Sequence, residues 1–159
     1  MGLDQYLYAK KYYSSTEFWG KENAETFEKI IDAANMRGFT HKNDENFNSV
    51  YVEVQCAYWR KANQIHAWFV NHVQDGEDNC AEYYVSREKL QQLVDECEAV
   101  LQDKDKAEEI LPTQSGFFFG GTEYDDWYMH DIQYTAERLR ELIQLGESER
   151  VEFYYSSSW

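Results

Sequence analysis

The sequence predicts an α+β fold: a single compact domain over residues 1–159, with a mostly antiparallel sheet of about five strands packed against three to four helices. Three observations carry that expectation. Segments whose apolar side chains alternate every second residue are interleaved with segments whose apolar side chains recur every third or fourth. Several connections are short enough to read as hairpins, which favours antiparallel pairing over a doubly wound parallel sheet. Hydrophobic residues make up 43% of the chain and aromatic residues 17%, enough to bury one proper core.

The opening LDQYLYAKKYY alternates through Leu3, Gln5, Leu7 and Ala9 and suits a half-buried strand. From Asn23 the period changes. Ala24, Phe27, Ile30, Ile31 and Ala34 share one helical face, and Gly38 stands where a left-handed helix end belongs. HKNDENFNS, residues 41–49, is polar and turn-forming. SVYVEVQCAYW then sets Val50, Val52, Val54 and Cys56 against Tyr51, Glu53 and Gln55, predicting a strand.

Ala62, Ile65, Phe69 and Val73 follow at helical spacing, so a helix begins near Arg60 and ends before QDGEDN. EYYVS reads as a short strand closing on Ser86, a helix cap. Leu90, Leu93, Val94, Cys97, Val100 and Leu101 form the cleanest apolar stripe in the chain. DKDKAEEILP continues it raggedly to Pro112, the one proline. SGFFFGGTEY reads as a hairpin, with Phe117–Phe119 and Thr122–Tyr124 as strands about a Gly120-Gly121 turn. Asp125 or Asp126 caps a last helix whose Tyr128, Ile132, Thr135, Leu139 and Leu142 face the core, with Gly146 near its end. RVEFYYSSSW closes the chain as a strand, and no internal repeat or linker divides it.

The balance of 30 acidic against 15 basic residues, net charge −15, repels phosphate backbones and anionic headgroups, which disfavours direct nucleic-acid or membrane-surface binding. The field is uneven. Residues 1–80 carry 12 acidic and 8 basic side chains, and residues 81–159 carry 18 and 7. Cys56, Cys80 and Cys97 form an odd set without C-x-x-C spacing, against a disulfide framework or zinc site and consistent with a reducing cytoplasm. No apolar run approaches the ~18 residues of a membrane span, and the N-terminus lacks a signal pattern. Tyr6 breaks the myristoylation pattern that Gly2 would open.

Three groups of residues invite chemistry. Arg60, Lys61, Asn63 and His66, in YWRKANQIHAWFV, can line one edge of a helix start and hold a small anion or nucleotide. The plainer reading, which the sequence favours, has the cations offsetting the acidic field and His66 bordering the core. Glu123, Asp125, Asp126, His130 and Asp131 fall within nine residues and could bind a hard cation or exchange protons, yet match neither an EF-hand loop nor H-E-x-x-H. First-turn capping explains them more simply. Third, Glu88, Asp95, Glu98, Glu108, Glu109, Glu123, Asp125 and Asp126 could form an acidic face that imitates a phosphate ladder, or a plain solvated surface. Ser115 lacks the G-x-S-x-G context, no cysteine has a recognisable partner, and GFFFGG is too bulky for a phosphate cradle. No cofactor or metal is implied.

MGLDQYLYAKKYY, YWRKANQIHAWFV and LPTQSGFFFGGTEYDDWY together resemble a family of small proteins found in bacteriophages and prophages, over about a third of the chain. The resemblance implies a bacterial host cell as the setting and assigns no activity to any residue. The leading expectation is a non-enzymatic protein, in the cytoplasm of the infected host, that blocks a host nucleic-acid-handling or defence protein by offering its acidic face to a basic groove. The rival is a small enzyme or ligand-binding module, which requires Arg60, Lys61, Asn63 and His66 to meet Glu123 and Asp125 in one cleft. A homo-oligomer using exposed aromatics is a third reading.

Overall fold

The computed structural model describes residues 2–41 and 47–159, so the core of the polar turn expected at residues 41–49 lies outside the described residues. The fold is α+β, with four strands instead of about five and five helices instead of three to four among the described residues. Strands β1 (Asp4–Ser14), β2 (Ser49–Arg60), β3 (Tyr83–Val85) and β4 (Glu152–Ser158) form one antiparallel sheet in the order β2-β1-β4-β3. The helices are α1 (Lys21–Ala33), α2 (Asn63–His72), α3 (Arg87–Gln102), the single turn α4 (Ala107–Ile110) and α5 (Asp126–Glu149).

The chain falls into two compact units, one of residues 10–53 and one of residues 2–9 with 54–159. In the smaller unit, α1 buries Phe27 and Ile31, one turn apart. Asn23 fastens the start of α1 to β1, its amide accepting from the Ser14 N–H and donating to the Tyr12 carbonyl, both at 2.9 Å. The left-handed residue after α1 is Asn35, at φ 56°, and not Gly38, which sits in a 3-10 turn. Asn tolerates that conformation because its short amide bonds locally, so the helix stops three residues earlier than the glycine suggested.

The larger unit holds the main core. α3 contributes Leu90, Leu93, Val94, Cys97 and Val100, α5 contributes Tyr128, Ile132, Ala136, Leu139 and Leu142, and both pack with Ile65, Trp68 and Phe69 of α2 and Leu7, Trp59, Phe153 and Tyr155 of the sheet. Every α5 residue expected inward is buried, as are five of the six on α3, Leu101 being exposed. Ser86 caps α3 by accepting from the Lys89 N–H, and Asp125 caps α5 by accepting from the Tyr128 N–H at 3.0 Å. β3 pairs with β4 in the register Tyr83↔Tyr155, Tyr84↔Tyr154 and Val85↔Phe153.

The expected hairpin is corrected, and β2 and α5, both found where expected, show detail that periodicity leaves open. In β2 it is Ala57 and Trp59 that are buried, while Val52 and Val54 are exposed. A strand's faces alternate strictly, so the large indole, hydrogen-bonded to the Thr135 hydroxyl at 2.8 Å, fixes the phase at the expense of the valines. The hairpin at residues 117–124 is absent. Gly116 to Phe119 is a tight turn, with the Phe119 ring folded back to 2.5 Å from where a Cβ on Gly116 would stand, and Phe117 is 94% exposed. Finally, α5 runs past Gly146 to Glu149 and ends on Arg150 at φ 54°. Gly146 serves close packing instead: a Cβ there would lie 2.9 Å from the Phe153 ring.

Candidate ligand-binding cleft

β2 ends on Arg60, and the chain then turns sharply through Lys61, which is left-handed at φ 60°, before α2 begins at Asn63, three residues later than the expected start near Arg60. For a residue with a side chain that conformation costs roughly 1–2 kcal/mol. The turn is held by the Lys61 N–H donating to the Leu3 carbonyl at 2.8 Å. Gly120, at φ 93°, passes so near that a Cβ on it would stand 3.0 Å from the Lys61 Cβ and 3.1 Å from its carbonyl oxygen, so only glycine fits.

Asn63 is 1% exposed and all its polar capacity is committed to the loop that follows α4. Its amide donates to the carbonyls of Gly121 (2.8 Å) and Phe119 (3.2 Å), and its oxygen accepts from the Gln114 N–H (2.8 Å). This clasp draws the loop over the end of β2. Together with the first turn of α5 it encloses a cleft of about 330 Å³. Arg60, Lys61, Glu123, Asp125 and Asp131 are among its lining residues, with Trp127, which is 78% exposed. Two segments some sixty residues apart in sequence therefore line one cleft, Arg60, Lys61 and Asn63 with Glu123 and Asp125, while His66, the fourth residue of the first group, is not among its lining.

The floor contains the most unusual group. Gln64 is 3% exposed, and its Nε2 has no hydrogen-bond partner among the described residues. Beside it, burial pushes the Asp131 carboxyl up to about 6, opposed by the neighbouring Gln64 amide and by His130. A buried amide donor without a partner costs about 1–3 kcal/mol unless something else accepts from it. Neither Gln64 nor Asp131 stands out in the sequence as a binding pair, since only the approach of α2 to α5 brings them together.

His66 takes no part in the cleft. It is fully buried, with Nδ1 at 2.9 Å from the Tyr155 hydroxyl and Nε2 at 3.0 Å from Asp78 Oδ2. Gln5 donates from Nε2 to the Ala62 carbonyl at 3.0 Å, which turns its oxygen toward the Tyr155 hydroxyl to accept at 3.0 Å. The result is a continuous polar chain, Asp78–His66–Tyr155–Gln5, through the core. The position of His66 on α2 follows from the helix period, which turns residue 66 inward while residues 60 and 61 precede the helix altogether.

The eight acidic residues are placed as follows. Glu123 and Asp125 line the cleft, Asp125 also capping α5. Glu88 borders a second concavity with Arg87 and Arg150, and Asp95 a third with Glu96 and His72. Glu98 pairs with Arg140, while Glu108, Glu109 and Asp126 are exposed. Among the described residues no helix is long and apolar enough to cross a membrane, and no group of three His, Cys, Asp or Glu side chains is disposed to hold a metal ion. Comparison with protein-family models, curated proteins and solved structures returns no significant match.

Proposed function

We propose that this chain is a small-ligand-binding module whose cleft takes an anionic ligand at Arg60 and Lys61. The observation that carries the reading is the meeting of those two cations with Glu123 and Asp125 around one cleft of about 330 Å³, a size within the range of small-molecule sites. The left-handed Lys61 adds to it. Glycine would relieve the backbone at that position, and strain retained by a long basic side chain at a cleft mouth is a known mark of functional sites. The Asn63 clasp then acts as the positioning element, setting the loop that closes the site.

Isothermal titration with ribose 5-phosphate as probe tests this. Saturable binding is expected, weakened at least ~10-fold in Arg60→Gln and in Lys61→Met and falling with salt, since charge-assisted contacts to phosphate dominate. Absence of saturable binding by the wild-type protein would overturn the reading.

A second reading rests on charge. The unit formed by residues 2–9 and 54–159 carries 22 acidic against 9 basic side chains, which suits docking to a basic groove on a host protein. Capture from bacterial lysate over a salt series tests it: a partner whose retention is indifferent to salt would count against charge mimicry.

A further inference from the structure

We infer that the floor of the cleft, at Gln64 and Asp131, is a subsite for the hydrogen-bonding edge of a nucleobase, so that the ligand class is a nucleoside monophosphate. This rests on the cleft reading above and deepens it. Gln64 Nε2 is buried and makes no well-formed hydrogen bond, and the Asp131 carboxylate that its amide lies against offers acceptor oxygens. A donor next to an acceptor is complemented by an edge that presents an acceptor next to a donor. Nucleobases carry such an edge as a ring nitrogen or carbonyl adjoining an N–H, and proteins that read unstacked bases bond to it while stacking an aromatic ring on the base.

The remaining parts of the site match the rest of such a ligand. Trp127, exposed in the cleft lining, offers an indole face for stacking, worth about 1–3 kcal/mol per base in single-strand binders. Arg60 and Lys61, at the end of β2, are the cations for the phosphate. A longer nucleic acid is disfavoured because its further phosphates would meet the acidic surface outside the cleft, at net charge −15. A single phosphate is not.

Asp131 also makes binding depend on pH. As an acceptor it must be ionised, so affinity for the base rises as pH passes upward through about 6. The charged groups facing it are His130 on its own helix, Asp125 at the helix cap, and Arg60, Lys61 and Glu123 in the cleft lining.

The test compares adenosine, guanosine, cytidine and uridine 5′-monophosphates with ribose 5-phosphate by isothermal titration on the full chain at pH 7.5 and pH 5. At least one nucleotide is expected to bind 10-fold or more tightly than ribose 5-phosphate at pH 7.5, with the advantage reduced at pH 5. Gln64→Met should abolish that advantage, and Asp131→Asn should remove its pH dependence. Each variant is accepted only with a wild-type near-ultraviolet circular dichroism spectrum, and either one alone suffices for the comparison. If ribose 5-phosphate binds and no nucleotide binds better, the base subsite is refuted while the anion-binding reading stands. If neither binds, both fall.

Discussion

Replacing Tyr155 by Phe removes one oxygen from the middle of the buried polar chain and little else. The ring, stacked on Phe69 with centroids 3.9 Å apart and planes 11° apart, keeps its packing. Two groups lose their partner, Gln5 Oε1 and His66 Nδ1, and both residues are 0% exposed. Each buried polar atom left unpaired costs about 1–3 kcal/mol, so the substitution, which orphans both, should destabilise by about 2–6 kcal/mol. Against the 5–15 kcal/mol by which domains are stable, that is a large fraction. Burial holds the phenol far above its usual range, so the hydroxyl stays protonated throughout any ordinary assay and the effect is not one of charge. In urea unfolding the midpoint should drop by roughly 1–3 M at unchanged slope, taking a slope of about 2 kcal/mol/M. Tyr84→Phe is the control: its ring is 57% exposed, opposite β4, and its change should stay within about 0.5 kcal/mol. A Tyr155→Phe loss no larger than that control would show that the chain of hydrogen bonds is not a structural member, and would return His66 to consideration as a ligand group.

Gly146→Ala brings a Cβ to 2.9 Å from the buried Phe153 ring, and overpacking of about 1–3 kcal/mol should outweigh the roughly 1 kcal/mol helix-propensity gain of alanine. A thermal melt no lower than wild type would contradict the close packing of α5 on β4. For Asp131 the folded carboxyl, at about 6, lies above the ~3.9 of an unfolded aspartate. The folded state therefore binds the proton more tightly, and stability falls as pH rises from about 4 to about 6 and stays lower above it. Asp131→Asn should accordingly gain about 1–3 kcal/mol on wild type at pH 7.5 and less at pH 5, measured by urea unfolding at both. A gain independent of pH would show that the carboxyl is not the source. With a thiol reagent at pH 8, exposed Cys80 should react first, Cys56 slowly because burial pushes it up to about 11, and Cys97 only on unfolding. Three equally fast thiols would contradict the burial of Cys97 under α3.

Fold class and the long helices were legible in the residues because their signal is periodic and local. The stripe from Leu90 to Val100 and the α5 positions from Tyr128 to Leu142 recur at the helix period, and a buried face leaves that mark whatever it packs against. Capping residues Ser86 and Asp125 were equally readable, since a cap is settled within four residues of chain. The sequence also held the two halves of the cleft, Arg60-Lys61 and Glu123-Asp125, as separate charged clusters.

What only the tertiary structure decided are the matters that depend on partners distant in the chain. Periodicity in β2 shows that two faces exist and not which one is inward. The Trp59 indole, reaching Thr135, settled that against the valines. Gly38 and Gly146 looked like helix ends, yet the left-handed positions went to Asn35 and Arg150, while Gly146 answered to the Phe153 ring. The same holds at the cleft. Gln64 is an ordinary polar residue until α2 carries it beneath the surface next to Asp131, and His66 is a candidate ligand until the helix turns it toward Tyr155 and Asp78. Residue type and spacing fix what a side chain can do and which face of its own element it occupies. Whether a donor is satisfied, a carboxyl is desolvated or two cations face an open space is a property of the groups folding brings alongside them, and most of those belong to other elements of the fold.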